Sequence, residues 1–127
     1  MEKAKEAMRF SYSPYSHCMV GAALLSKDGR VFTGCNVENA AFGPTVCAER
    51  TAVLKAVSEG AREFEKIAVV GGKGGVLSGA FPPCGVCRQV LSEFCDGDFT
   101  ILFGTEEGYE EHTLSELLPF SFTKDKV

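Results

Sequence analysis

The chain has 127 residues, which predicts a single domain spanning residues 1–127, and its 45% hydrophobic and 24% charged content excludes a disordered chain. Thirteen Lys and Arg against seventeen Asp and Glu leave a net charge of −4 without a basic stripe, so binding to polymeric nucleic acid is not expected. No apolar run approaches the roughly 18 residues of a membrane span, and no signal-peptide apolar region follows Met1, which predicts a cytoplasmic protein without membrane contact.

The first half of the chain predicts a helix, a β-hairpin and a second helix. Glu2 to Phe10 places apolar residues at helical spacing. Met19 to Ser26 and Val31 to Val37 have the composition of strands, and the Asp28-Gly29 pair between them is typical of a tight hairpin turn. Cys47 to Ser58 again repeats apolar residues at helical spacing.

The middle of the chain predicts a buried strand, a loop and a third helix. Ile67 to Val70 is a short continuous apolar run, which is typical of a strand buried on both faces. Gly71 to Gly79 is rich in glycine but lacks the Gly-Lys-Ser/Thr ending of a phosphate-binding loop, so we expect a flexible loop. Cys84 to Phe94 follows with helical spacing of its apolar residues.

The last third predicts two more strands and a short helix. Phe99 to Phe103 is strand-like, and Tyr109 to His112 is expected to pair back onto it. The segment Thr113-Leu114-Ser115-Glu116 has the pattern of a capping box, which predicts a short helix that ends at Pro119. This order of helices and strands predicts an α/β fold, a three-layer α/β/α sandwich around a mixed β-sheet.

Six cysteines are the unusual feature of the composition. A disulfide framework is typical of short secreted chains, and it is disfavoured here because no export signal is present. Reduced thiols are instead buried small apolar groups, metal ligands or nucleophiles. The spacing of each cysteine must decide among these roles.

Three of the cysteines have the spacing of metal ligands. Cys84 and Cys87 lie three positions apart and therefore share one face of the predicted third helix. Cys47 opens the second predicted helix, and a helix N-terminus favours the thiolate form. Zinc takes thiolate ligands and prefers four of them in structural sites, so three ligands predict a catalytic site with one open position.

A glutamate accompanies this set. Glu49 is two residues from Cys47, an offset that at a helix start can place its carboxylate beside a metal ion rather than on it. A general acid/base needs that position, within hydrogen-bond reach of a bound water. Cys47-x-Glu49 together with Pro83-Cys84-x-x-Cys87 resembles the signature of zinc deaminases.

Further stretches between about Ser13 and Phe122 carry a more specific pattern. They are Tyr15-Ser16-His17, Val20-Gly21-Ala22-Ala23-Leu24, Gly34-Cys35-Asn36-Val37-Glu38-Asn39-Ala40, Cys47-Ala48-Glu49-Arg50-Thr51-Ala52, Pro83-Cys84-Gly85-Val86-Cys87-Arg88-Gln89-Val90 and Glu116-Leu117-Leu118-Pro119. With these stretches the sequence resembles the small, homotetrameric, zinc-dependent cytidine deaminases that act on free nucleosides.

The resemblance implies a reaction. It implies hydrolytic deamination of cytidine and 2′-deoxycytidine to uridine and 2′-deoxyuridine with release of ammonia, as in pyrimidine salvage. One zinc ion per chain, held by Cys47, Cys84 and Cys87, would activate the water that attacks C4 of cytosine. Glu49 would take the proton of that water, protonate N3 and help ammonia leave.

The resemblance also implies substrate contacts. Asn36 and Glu38 match a pair that binds the ribose 3′-hydroxyl. The backbone N–H of Ala48 would hold O2 of the base, and the carbonyl of Pro82 would receive the departing amine. Arg50 matches an arginine that bonds to the thiolates and offsets their charge.

Three positions concern aromatic contacts with the substrate. Cys18 stands where the family commonly has an aromatic residue that packs on the base, and Phe42 stands where a tyrosine is common. Phe122 matches an aromatic residue that reaches in from a neighbouring subunit. The loss of a ring at Cys18 predicts weaker stacking on the pyrimidine, for which Phe42 and Phe122 would compensate in part.

Other functions remain open on the sequence alone. A deaminase of a modified cytosine nucleoside such as blasticidin S shares the zinc pattern but typically lacks the arginine at Arg50. A non-catalytic zinc-binding module would add a fourth ligand, for instance Cys35 or a histidine. A redox dithiol of Cys84 and Cys87 would hold no metal tightly.

The remaining polar and thiol residues predict ordinary structural roles. Cys18, Cys35 and Cys95 match no ligand position and are expected to be core or partly exposed thiols. Arg88 and Gln89, in the third predicted helix, are expected to make structural or subunit contacts.

Overall fold

A five-stranded mixed sheet forms the middle of the molecule. The computed structural model describes residues 1–127. The sheet has the order β2-β1-β3-β4-β5, in which only β3 and β4 pair in parallel. The strands are β1 (Cys18–Ser26), β2 (Val31–Cys35), β3 (Phe64–Lys73), β4 (Thr100–Thr105) and β5 (Gly108–Thr113).

Four α-helices accompany the sheet. They are α1 (Glu2–Met8), α2 (Ala48–Ser58), α3 (Gly85–Phe94) and α4 (Leu114–Leu117), and a 3₁₀ turn (Lys124–Lys126) follows near the end of the chain. No helix is long and apolar enough to cross a membrane. The predicted order of helices and strands is confirmed, and so is the three-layer α/β/α fold.

The two faces of the sheet bury different helices because side chains along a strand alternate between faces. On one face, Val20, Ala22 and Leu24 of β1 contribute to a cluster of 17 buried residues that also includes residues of α2 and α3. On the other face, Ala4 and Met8 of α1 pack in a smaller cluster of four buried residues. The larger core therefore lies under the helices that begin with the predicted metal ligands.

A glycine brings α2 close to the sheet. At Gly34, in β2, an added Cβ would lie 2.5 Å from the carbonyl oxygen of Ala48 and 2.6 Å from the backbone nitrogen of Ala52. Only glycine permits this approach of helix backbone to strand backbone. The N-terminus of α2 consequently lies beside the end of β2, from which Asn36 and Glu38 follow.

Several predicted boundaries differ in the structure. Helix α1 ends at Met8 instead of Phe10. Strand β2 ends at Cys35, because Val37 leaves the ladder and forms isolated bridges with Tyr12 and Val46. The hairpin turn is confirmed, with Gly29 at a φ of 93°, and the capping box at the start of α4 is confirmed as well.

The prediction of a flexible loop from Gly71 to Gly79 is wrong in its first residues. Strand β3 continues through Gly71 and Gly72 to Lys73. An added Cβ at Gly71 would lie 2.9 Å from the ring of Phe81, and one at Gly72 would collide with the carbonyl oxygen of Val76. The glycines therefore allow the returning chain to pack directly on the strand.

Candidate active site

Two helix starts converge on one cluster of thiols. Cys47 is the N-cap residue of α2 and Cys84 is the N-cap residue of α3. Their Sγ atoms lie 3.6 Å apart, and the Sγ atoms of Cys84 and Cys87 lie 3.5 Å apart. All three sulfurs lie within 4.8 Å of one another, as the spacing in the sequence predicted.

The cluster fits a tetrahedral zinc ion. Zinc–sulfur bonds of about 2.3 Å in a tetrahedron separate the sulfurs by about 3.8 Å, close to the distances between these Sγ atoms. No histidine, carboxylate or further cysteine joins the group. Three protein ligands leave a fourth position open, which is typical of catalytic zinc sites. The zinc-binding module with a fourth ligand from Cys35 or a histidine is therefore disfavoured.

Cationic and hydrogen-bonding neighbours stabilise a thiolate in the cluster. The pKa of Cys47 falls to about 5, first because the thiol of Cys87 donates to it and then because Arg50 and Cys84 do. Arg50 Nη2 lies 3.3 Å from Cys47 Sγ and 3.4 Å from the carbonyl oxygen of Thr45. The pKa of Cys87 is raised in turn, chiefly by the hydrogen bond with Cys47.

Glu49 lies beside the thiols and is removed from solvent. Only 4% of the residue is exposed, although it carries a carboxyl group. Burial raises the pKa of this carboxyl to about 7, and the nearby Cys47 adds to the shift. A carboxyl group in such surroundings can both accept and donate a proton near neutral pH.

The thiols and Glu49 open onto a cleft of about 220 Å³. Its walls come from β1, the segment after β2, the start of α2 and the segment before α3. The lining residues are Ser16, Cys18, Val20, Asn36, Glu38, Thr45, Val46, Cys47, Ala48, Glu49, Phe81, Pro82 and Cys84. A larger cavity of about 550 Å³ lies between α3 and the C-terminal segment, but it contains none of the predicted site residues.

The family follows from comparison with known proteins. A family model described as the cytidine and deoxycytidylate deaminase zinc-binding region matches residues 1–103. The chain belongs to this deaminase family. The matched range contains all three thiols of the cluster, which is consistent with one zinc ion per chain.

Individual members of the family are similar over nearly the whole chain. A cytidine deaminase of Sporosarcina psychrophila is 48% identical over 126 residues, which cover 98% of this chain and 90% of that protein. A cytidine deaminase of Halalkalibacterium halodurans is 48% identical over 128 residues, which cover 100% and 94%. The crystal structure of a Burkholderia pseudomallei cytidine deaminase has a TM-score of 0.88, 44% identity, and coverage of 95% and 94%. A blasticidin-S deaminase of Bacillus cereus is less similar, at 30% identity over 129 residues, with coverage of 98% and 91%.

Asn36 lies at the cleft of this deaminase and has most of its hydrogen bonds satisfied. Its Oδ1 accepts from the hydroxyl of Ser11 at 2.5 Å and from the N–H of Val20 at 2.9 Å. Its Nδ2 donates to the carbonyl of Cys18 at 2.8 Å. These bonds orient the amide, and one N–H of Nδ2 stays available to a ligand in the cleft.

Glu38 lies at the rim of the same cleft. Its Oε1 accepts from the N–H groups of Tyr15 and Ser16 at 3.0 and 3.1 Å, and its Oε2 accepts from the Ser16 hydroxyl at 2.5 Å. The Ser16 hydroxyl is the main cause of the lowered pKa of this carboxyl group. Glu38 is therefore ionised at neutral pH and offers acceptor oxygens to the cleft.

The other predicted residues divide into two groups. Ala48 and Pro82 line the cleft of the deaminase. The rings of Phe42 and Phe122 lie outside it and are 88% and 62% exposed. Neither residue lines the cleft of its own chain.

The structural role expected of Arg88 and Gln89 is confirmed. Arg88 Nε donates to the carbonyl of Pro83 at 2.8 Å, and its Nη1 donates to the carbonyl of Leu117 at 2.7 Å. Gln89 Nε2 donates to the carbonyl of Phe122 at 2.8 Å. Helix α3 thus holds both the segment before Cys84 and the C-terminal segment.

The sequence reasoning missed three residues that the structure places at or behind the cleft. Ser11 and Ser16 orient Asn36 and Glu38, and Phe81 forms part of the wall. Ser11 carries no pattern of its own, whereas Ser16 lies in the matched stretch Tyr15-Ser16-His17, although no role was assigned to it. Phe81 directly precedes the predicted site segment at Pro82, and that position was its one available signal.

Proposed function

We propose that the protein is a zinc-dependent cytidine deaminase that converts cytidine and 2′-deoxycytidine to uridine and 2′-deoxyuridine and releases ammonia. The buried carboxyl group of Glu49 beside three clustered thiols is the observation that carries this proposal. The relatives named cytidine deaminase, at 48% identity over almost the full chain, support the same reaction.

The thiols and one arginine would form the metal site. Cys47, Cys84 and Cys87 would hold the zinc ion, which when bound supplies Lewis-acid chemistry that makes hydroxide available near neutral pH. Three thiolates on a doubly charged ion give a net charge of −1 and weaken this effect. Arg50, with its Nη2 at 3.3 Å from Cys47 Sγ, offsets the excess charge.

Glu49 would carry the protons of the reaction. In the proposed sequence it accepts a proton as the oxygen of water bonds to C4 of cytosine, and it delivers that proton to N3. It then takes the remaining proton of the added hydroxyl and passes it to the amine as the C4–N4 bond breaks. Burial keeps bulk water away from the carboxyl, so that the proton stays between the substrate and Glu49.

The cleft residues would orient the nucleoside. The available N–H of Asn36 and the carboxylate of Glu38 suit a donor–acceptor contact with the sugar 3′-hydroxyl. Ala48 is the first residue of α2, and its N–H has no acceptor within the helix and can reach O2 of the base. The carbonyl of Pro82 would accept from the departing amine.

The proposal also covers the assembly, the domain extent and the cellular role of the enzyme. Phe42 and Phe122 are exposed and lie outside the cleft of their own chain, so each would act on a nucleoside held by a neighbouring copy. A homotetramer would provide such neighbours. We further propose one catalytic domain over residues 1–127, a cytoplasmic location and a role in pyrimidine salvage, with no polymeric nucleic acid or membrane as partner.

An activity assay on the zinc-loaded protein tests the proposal. Cytidine, 2′-deoxycytidine, cytosine, CMP and blasticidin S are each incubated with the protein, and loss of the cytosine absorbance is followed. We expect turnover of the two nucleosides. Turnover of neither would reject the proposal, and turnover of blasticidin S alone would favour the modified-nucleoside deaminase.

Glu49→Gln tests the proton transfer, with Glu59→Gln as a control at the exposed end of the same helix. We expect Glu49→Gln to keep its zinc but to lower kcat by about 10⁴-fold, the upper range for a positioned acid/base. Glu59→Gln should match the wild type. Substantial activity in Glu49→Gln would contradict the role of this carboxyl group.

A further inference from the structure

One aromatic ring lines the cleft, and it belongs to Phe81. Phe81 lies between β3 and α3, directly before Pro82. Phe42 and Phe122, the aromatic residues expected from the sequence to contact substrate, are 88% and 62% exposed and lie outside the cleft. A planar base that enters the cleft therefore meets the ring of Phe81 and no other ring of this chain.

The ring of Phe81 is held against the sheet. An added Cβ at Gly71 would lie 2.9 Å from Cγ and Cδ1 of the ring, so the ring occupies the space that any side chain at position 71 would fill. Phe81 also packs against the main core cluster. These contacts limit the rotamers of the ring while it still lines the cleft, and an ordered ring loses little entropy when a ligand stacks on it.

The strand register places this ring beside two other residues of the cleft. Gly71 pairs directly with Val20 of β1, so both project to the same face of the sheet. Cys18 lies two positions before Val20 and consequently faces the same side. Phe81, Val20 and Cys18 all line the cleft, and they form its apolar wall, in which the ring is the largest group and the thiol the smallest.

We propose that Phe81 is the residue on which this protein stacks the pyrimidine ring of its substrate, and that it supplies the aromatic surface that Cys18 does not. The assignment rests on the proposed deaminase function. Aromatic faces bind nucleobases through stacking, and they do so for every base because each has a π-face. Ala48 and Glu49, which would read the edge of the base, line the same cleft.

Phe81→Leu removes the ring and keeps an apolar side chain against Gly71. We expect KM for cytidine to rise about tenfold, which corresponds to about 1.4 kcal/mol, with kcat within about twofold and one zinc per chain retained. The matched control is Val76→Ala, in the same segment between β3 and α3, whose side chain is 70% exposed and outside the cleft. A KM within about twofold of wild type, or a fall in kcat alone, would overturn the assignment.

A spectroscopic measurement separates stacking from a general disturbance of the cleft. The chain contains no tryptophan, so Phe81→Trp places the only tryptophan of the variant in the wall, and the emission of that residue is followed. We expect uridine, the proposed product, to quench this emission in a saturable way. The same titration of Tyr109→Trp, at a 58% exposed position on strand β5, should show no quenching.

Different results would contradict the proposed deaminase function and the proposed role of Phe81. If the wild-type protein deaminates neither nucleoside, the proposed function fails. If the wild type deaminates cytidine while Phe81→Leu binds it equally well, only the role of Phe81 fails. Absence of quenching in a Phe81→Trp variant that still deaminates cytidine also overturns the role of Phe81.

Discussion

The helix starts at the thiol cluster differ from the start of α4, which lies outside it. Helices α2 and α3 follow Cys47 and Cys84, whose backbones are extended, and neither N-cap side chain accepts a hydrogen bond from a backbone N–H of its helix. Helix α4 follows Thr113, whose hydroxyl accepts from the N–H of Glu116 at 3.3 Å, while the Glu116 carboxylate accepts from the N–H of Thr113 at 3.2 Å. Only α4 satisfies its first backbone donors from its own side chains.

The difference shows where function displaces local stability. A Ser, Thr, Asp or Asn at an N-cap contributes about 1 kcal/mol relative to alanine, and α4 has this contribution. Helices α2 and α3 forgo it, and their N-terminal dipoles and N–H groups stay available to thiolates and to a ligand. Departures from local rules are expected at functional sites, and the cap positions of α2 and α3 are such departures.

The largest expected effect comes from giving α3 an ordinary cap. Cys84→Ser replaces an exposed ligand by a residue that caps helices well. We expect loss of bound zinc and a fall in kcat/KM of at least about 100-fold, more than the loss of a residue behind the ligands would cause. In the metal-free state the same variant should unfold with a free energy about 1 kcal/mol higher than wild type. Metal analysis, the cytidine assay and thermal unfolding in a chelator measure the three effects.

The control for this substitution is Cys35→Ser, at the end of β2 and outside the thiol cluster. It should retain one zinc per chain. Zinc binding by Cys84→Ser like that of the wild type would contradict the role of Cys84 as a ligand. Equal stability of metal-free Cys84→Ser and metal-free wild type would contradict the expectation that Cys84 replaces a stabilising helix cap.

A smaller effect is expected from substitution of Arg50 in α2 or Arg88 in α3, and the two substitutions should differ in what they change. Arg50 contacts the Sγ atom of Cys47, whereas Arg88 contacts the carbonyl oxygens of Pro83 and Leu117. Arg50→Gln should lower zinc affinity or kcat/KM by about 10–100-fold, as is usual for residues that support metal ligands. Arg88→Gln should lower the free energy of unfolding by about 2 kcal/mol through the loss of charged hydrogen bonds. Zinc titration and denaturant unfolding of both variants check the assignment, and an exchange of the two effects would contradict it.

The sequence predicted the cluster of thiols because the pattern that indicates it is local. The three-residue spacing of Cys84 and Cys87 and the position of Glu49 after Cys47 each lie within one helical turn. Helical periodicity also located both helix starts within a residue. Joining the two halves required only that both helices pack on the same face of the sheet, as the large core cluster shows.

The wall of the cleft could not be predicted, because it depends on strand register. Glycine is disfavoured in strands, so Gly71 and Gly72 indicated a loop. Packing against Phe81 and Val76 overrides that preference. The position of this packing depends on the pairing of β3 with β1, which the local sequence does not encode. The exposure of Phe42 is likewise a tertiary property that no pattern along the chain encodes.

The smallest expected effect concerns the pH dependence at the start of α4. His112 stacks on Phe103 with ring centroids 4.9 Å apart, and its nitrogens lie 3.3 Å from Glu110 and 3.4 Å from Glu116. Glu110 and then Glu116 raise the pKa of His112 above its ordinary value of 6.5. The hydroxyl and N–H of Thr113, and then His112, lower the pKa of Glu116 below its ordinary value of 4.5.

The signs of these shifts define a window of pH. The raised pKa of His112 adds stability that is complete below about pH 6.5 and is lost as the pH rises through the folded-state pKa, whereas the lowered pKa of Glu116 adds stability that is lost below about pH 4.5. We therefore expect His112→Gln to lower Tm more at about pH 5.5 than at about pH 8.5, because the interaction of the protonated ring with Glu110 and Glu116 is lost only at the lower pH. The loss of stacking on Phe103 is the same at both values. Thr113→Ala, which removes the neutral hydroxyl of the cap, should lower Tm at both values. Equal Tm losses for His112→Gln at the two pH values would show that the histidine contributes only through its ring, and that the start of α4 is stabilised by its cap alone.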